Sequence, residues 1–62
     1  MCESTVYLEE NGKRQEIMKD VARIDVTIDG IICYDIIGVK KEIKGAKLKF
    51  ANLMDHSIVF QK

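Results

Sequence analysis

Apolar residues recur at every second position through much of this chain, the period of a half-buried β-strand. Over residues 2–9, Cys2, Ser4, Val6 and Leu8 fall on one face, and Glu3, Thr5, Tyr7 and Glu9 on the other. Asn11-Gly12 follows, and both residue types accept the positive φ of a type I′ turn, so the pair marks a hairpin. Arg14–Met18 is the returning strand, and Lys19-Asp20 reads as a break. The cleanest alternation comes at 23–28, with Ile24, Val26 and Ile28 pointing one way and Arg23, Asp25 and Thr27 the other. Asp29-Gly30 is a second hairpin signal. Ile31–Ile37 is apolar on both faces: Ile31, Cys33 and Ile37 share one with Asp35, and Ile32, Tyr34 and Ile36 share the other.

Gly38 and Gly45 punctuate the second half. Val39–Lys44 mixes β-branched residues with lysine, and Ala46, Leu48 and Phe50 alternate with Lys47 and Lys49. Asn52–His56 reads as a turn, and Ser57–Gln61 as a last strand with Ile58 and Phe60 inward. A helix over Lys40–Leu53 is the rival reading, because Lys, Glu, Ala and Leu favour helices. Gly45 and the alternation after it favour strands. The pattern predicts an all-β fold, a small antiparallel β-barrel or curled sheet of six to seven short strands, as one domain over residues 1–62. Val6, Leu8, Ile24, Val26, Ile28, Leu48 and Phe60 are the expected core.

Length sharpens this picture. About 60 residues leave a marginal core, and such domains usually add a disulfide, a metal or a partner subunit. The two cysteines, Cys2 and Cys33, make at most one bridge, and no basic-then-apolar leader pattern opens the sequence. The expectation is a reducing cytoplasm with both thiols free. No apolar run approaches the ~20 residues that span a bilayer. A homodimer is expected, because the two-faced strand Ile31–Ile37 offers a second apolar face.

Ten basic and ten acidic residues balance overall but not locally. Residues 1–35 hold eight acids and four bases, and residues 36–62 hold two acids and six bases. Zero net charge argues against avid polyanion binding. Lys40, Lys41, Lys44, Lys47 and Lys49 nevertheless form a basic stretch. A solvated sheet face is its plain explanation; an RNA-binding surface is the sharper one, short of aromatics for base stacking. No nucleophile–base pair or carboxylate dyad emerges from spacing, so nothing marks an enzyme.

Cys2 carries the most chemistry. A thiol beside the α-amine offers a divalent metal two donors once both lose their protons. If Met1 is retained, its amine, the Cys2 amide nitrogen and the Cys2 sulfur can close two five-membered rings. If Met1 is removed, the Cys2 amine and sulfur close one. Such N,S sets suit square-planar Ni(II) or Cu(II) better than tetrahedral zinc, and two chains about a twofold axis could fill four positions. The plainer alternative is that Cys2 is a small apolar residue on the face of Val6 and Leu8. Cys33, within a run of isoleucines, reads as a core or interface residue, and His56 as a solvated turn residue.

The Met1-Cys2 start, the strand running from it through Val6, Tyr7 and Leu8, the Asn11-Gly12 hairpin, the length and the all-β pattern together resemble the CooT family. These are small nickel-binding proteins linked to maturation of nickel carbon monoxide dehydrogenase. The resemblance implies a cytoplasmic homodimer that binds one Ni(2+) between its subunits through the N-terminal cysteine, here Cys2, and helps supply nickel to an enzyme. Cys33 and the lysine-rich segment do not map onto the family's site.

Overall fold

The computed structural model describes residues 3–62. Among them are six strands and no helix: β1 (Ser4–Glu10), β2 (Lys13–Val26), β3 (Gly30–Asp35), β4 (Lys40–Lys44), β5 (Lys47–Asn52) and β6 (Ser57–Gln61). Lys40–Leu53 is therefore extended, as the alternation predicts, despite its helix-favouring composition. The strands form one sheet in the order β4-β3-β2-β1-β6-β5.

Asn11 and Gly12 both take positive φ, 56° and 78°, as the β1–β2 hairpin requires. Lys19-Asp20 does not end a strand. Asp20 has a φ of 55°, and the register steps from Val6↔Met18 to Ser4↔Val21, three residues against two. A second step, from Val21↔Asp35 to Arg23↔Tyr34, follows at once. With a third step, from Val6↔Met18 to Tyr7↔Glu16, these bulges bend β2, so its first half pairs with β1 and its second with β3.

The pairings are antiparallel except β1–β6, which runs parallel, so the sheet is mixed rather than purely antiparallel. It is curled, not closed. In a flat six-stranded sheet the edges β4 and β5 would lie five spacings, about 24 Å, apart. Here they are joined by Gly45-Ala46 alone, a link that reaches about 11 Å at most. The chain itself therefore forces the two edges towards each other. Gly45 N–H donates to the Asp29 carbonyl at 2.6 Å and ties the link to the β2–β3 loop.

The concave face encloses the core: Val6, Leu8, Met18, Val21, Ile31, Cys33, Ile43, Ala46 and Phe60, with Ile17, Ile24 and Ile58 against it. Val6, Leu8 and Phe60 are buried as expected, and Ile24 is half-buried. Val26, Ile28 and Leu48 are not core residues; they are 81%, 100% and 58% exposed. β2 stops at Val26, and Thr27 Oγ1 accepts the Asp29 and Gly30 amides, which puts Ile28 at the tip of a turn. Val59 is fully buried outside the main cluster, in register between Tyr7 and Phe50, because β6 lies inside the sheet.

Candidate functional site

Cys2 and Met1, the predicted metal ligands, lie outside the described residues. What the structure positions is the place from which they extend. Ser4 pairs with Val21 on one side, and Thr5 N–H donates to the His56 carbonyl at 2.9 Å on the other. Two turns join the body at this point. In the first, Asp35 Oδ1 accepts the Ile37 and Val39 amides at 3.0 and 2.8 Å. Ile36 N–H donates to the Asp20 carbonyl at 3.0 Å, which fastens this turn beside Val21. In the second, Asn52 Oδ1 accepts the Met54 amide and Ser57 Oγ donates to Asp55 Oδ1.

Both turns hold apolar side chains out in water: Ile36 and Ile37 in the first, Leu53 and Met54 in the second. The sequence pattern places Ile36 and Ile37 at the end of a strand, but β3 stops at Asp35 and both belong to the turn. The readable signal was Leu53-Met54 inside an otherwise polar turn, and Ile36-Ile37 running straight into Gly38.

Cys33 is fully buried, in register with Ile24 and Lys41. Burial pushes its thiol pKa up, against a smaller opposing pull from the Lys41 charge. It therefore stays a protonated core thiol, not a ready thiolate ligand. His56 is an exposed turn residue with a φ of 56°, as expected. Its backbone, however, lies against Thr5, nearer the chain start than sequence spacing could show. Among the described residues no group of three or more His, Cys, Asp or Glu side chains could hold a metal.

The lysine stretch divides. Lys49 Nζ bonds Glu9 Oε1 at 2.5 Å, and Arg14 binds Glu9 Oε2 through Nε and Nη2 at 2.9 and 2.6 Å. Lys49, then Arg14, hold the Glu9 carboxyl below its usual range. The Arg14 guanidinium also sits 5.5 Å from the Phe50 ring centroid. Lys41 Nζ reaches the Ile17 carbonyl at 3.4 Å. Among the described residues no carboxylate pairs with Lys40, Lys44 or Lys47.

Comparison with known proteins follows the same lines. The family model described as CO dehydrogenase accessory protein CooT matches residues 1–61. The fold is similar to the crystal structure of a protein assigned as CooT from Carboxydothermus hydrogenoformans. That likeness has a TM-score of 0.86 and 28% identity, and covers 98% of this chain and 97% of the other. No curated protein matches the chain.

Proposed function

This chain belongs to the CooT family of CO dehydrogenase accessory proteins, and we propose that its accessory task is to hold Ni(II) through Cys2 at the interface of a homodimer. The observation that carries this reading is the setting of the β1 start. Cys2 stands two residues before Ser4, and two turns with exposed Ile36, Ile37, Leu53 and Met54 join the body there. An apolar contact between two copies at this end would bring two Cys2 thiols together. Cys33 is withheld by burial, which leaves Cys2 as the available thiol.

Nickel is cargo on this reading. The Cys2 thiolate is the proposed anchor, with the α-amine of Met1 or of Cys2 as the proposed nitrogen donor. Both belong to the same short stretch of backbone, so chelation costs little chain entropy. A reducing compartment such as the cytoplasm keeps the thiol available, and the client is a nickel enzyme such as carbon monoxide dehydrogenase.

The test is nickel titration of the reduced protein beside Cys2→Ser. Wild type should develop a thiolate-to-nickel charge-transfer band, and Cys2→Ser should lose both the band and nickel retention with an unchanged fold. An uncleaved N-terminal tag should weaken binding by turning the amine into an amide. His56→Ala and Cys33→Ser should change affinity by less than about tenfold, or about 1.4 kcal/mol. Wild-type nickel binding by Cys2→Ser would sink the reading.

A further inference from the structure

The curl leaves an open seam. β4 and β5 are the two edge strands, so each keeps one row of backbone groups without a strand partner in the sheet. Beside the Gly45-Ala46 link that joins them lies a cavity of about 330 Å³, between the Val26–Ile31 stretch and the start of β5. Its apolar lining is Val26, Ile28, Ile31, Ala46, Leu48 and Phe60, with Asp29 as the one acid. Three of these apolar side chains, Val26, Ile28 and Leu48, stand largely in water. The volume is near the low end of small-ligand sites (~300–1,000 Å³), room for one or two large side chains.

The seam is also basic. β4 and β5 carry Lys40, Lys41, Lys44, Lys47 and Lys49 against Glu42 alone. Lys49 and Lys41 are engaged with Glu9 and with the Ile17 carbonyl. Lys44 and Lys47 bracket the Gly45-Ala46 link beside the groove and have no carboxylate partner among the described residues. Edge lysines alone are explained by protection against edge-to-edge pairing. That explanation does not cover the exposed Val26, Ile28 and Leu48 beside them.

We propose that the open seam between β4 and β5 is a docking site for an extended, acidic segment of a partner protein, which seats an apolar side chain in the groove. An added strand would satisfy the edge backbone groups, its carboxylates would meet Lys44 and Lys47, and its apolar side chain would cover Ile28 and Leu48. Single-stranded nucleic acid fits less well. It needs open aromatic faces, but Phe60 in the groove is buried and Phe50 on β5 already has Arg14 against its ring. The proposal uses neither Cys2 nor the turns around the start of β1, so it stands apart from nickel binding.

The experiment is a titration of isotope-labelled protein, followed by amide chemical shifts. The probe is a six-residue, end-capped peptide alternating glutamate with valine and phenylalanine. A peptide with lysine in place of glutamate and a short oligouridine RNA are the comparisons. The acidic peptide should shift amides of β4, β5 and the Val26–Ile31 stretch. Lys44→Glu with Lys47→Glu should weaken it at least tenfold, and so should Ile28→Ser with Leu48→Ser; all four side chains are exposed, so the fold should survive. Absence of shifts at millimolar peptide overturns the proposal, as do equal shifts with the lysine peptide. Tighter RNA binding at the same amides would make the seam a nucleic-acid site instead. Seam shifts that grow with protein concentration alone would assign it to a second copy.

Discussion

Glu9 shows how one half-buried side chain can make stability depend on pH. Its carboxylate accepts from Lys49 on β5 and Arg14 on β2, so it ties both strands to β1 across the outer surface. Its folded-state pKa is lowered, chiefly by the Lys49 bond and then by Arg14. A lowered folded pKa means that the unfolded chain takes up the proton first as pH falls. The contribution is complete above the ordinary glutamate range and is lost as pH drops through the lowered folded-state value. Glu9→Gln should therefore melt below wild type at neutral pH, and the two melting temperatures should converge in acid. A difference that persists unchanged below that range would assign the effect to packing. Cys33 obeys a different term. It is fully buried among apolar residues, so Cys33→Ser places a hydroxyl in the core without a designed partner. Chemical denaturation should show a loss of about 1–3 kcal/mol, while nickel retention stays close to wild type.

At the scale of elements, the β3–β4 pairing depends on a missing side chain. A Cβ at Gly30 would run into the Ile43 carbonyl oxygen and would stand 2.9 Å from Lys44 Cα, both backbone atoms that cannot swing away. Gly30→Ala should push β4 off β3 and cost about 2–4 kcal/mol, read as a shift in the denaturation midpoint with protection lost first in β4 amides. Gly12 and Gly45, with open space where a Cβ would go, should cost less through their positive φ alone. The strands themselves were legible in the sequence. Ser57–Gln61 matches β6 residue for residue, and Asn11-Gly12 forms the first hairpin. Local period and turn chemistry decide such features. The bulges in β2 were not legible, because Asp20 looks like an ordinary turn residue until its partner strand is known. Nor was the exposure of Val26, Ile28 and Leu48, since alternation tells which face a side chain takes but not where the opposite layer ends. The parallel β1–β6 pair was hidden for a similar reason: it joins the first strand to the last, and no local signal reports it. Of the candidate site, Cys33 as a core residue was readable from its isoleucine neighbours. The apolar turns near Ser4 were not, because residues 36–37 and 53–54 come together with the chain start only through the fold.

At the scale of the whole molecule, exposed apolar side chains are the feature that a partner would cover. A compact monomer of 7.1 kDa would expose about 4,100 Å², and this chain exposes 4512 Å². It is flattened, 32 × 23 × 15 Å, and among the described residues nine large apolar side chains stand in water. A standard interface covers about 800 Å² per partner, nearly a fifth of that surface. Ile36, Ile37, Leu53 and Met54 are exposed in the two turns tied to Asp20 and Thr5 at the same end of the sheet as the start of β1, and are the residues such an interface should cover. If two copies meet there, nickel held by one Cys2 from each chain binds the dimer and not the separated subunits. Mass action then makes nickel a dimer stabiliser, worth about 2.7 kcal/mol at a hundred times its dissociation constant. Sedimentation at tens of micromolar should show a dimer that tightens on adding nickel. Ile37→Glu with Met54→Glu should give a folded monomer with weakened nickel retention, because both side chains are exposed in the single chain and only the interface needs them apolar. Lys44→Glu, on the far edge strand, should leave the dimer intact. A wild-type monomer at these concentrations, with or without nickel, would rule the shared site out and leave each Cys2 to bind nickel alone.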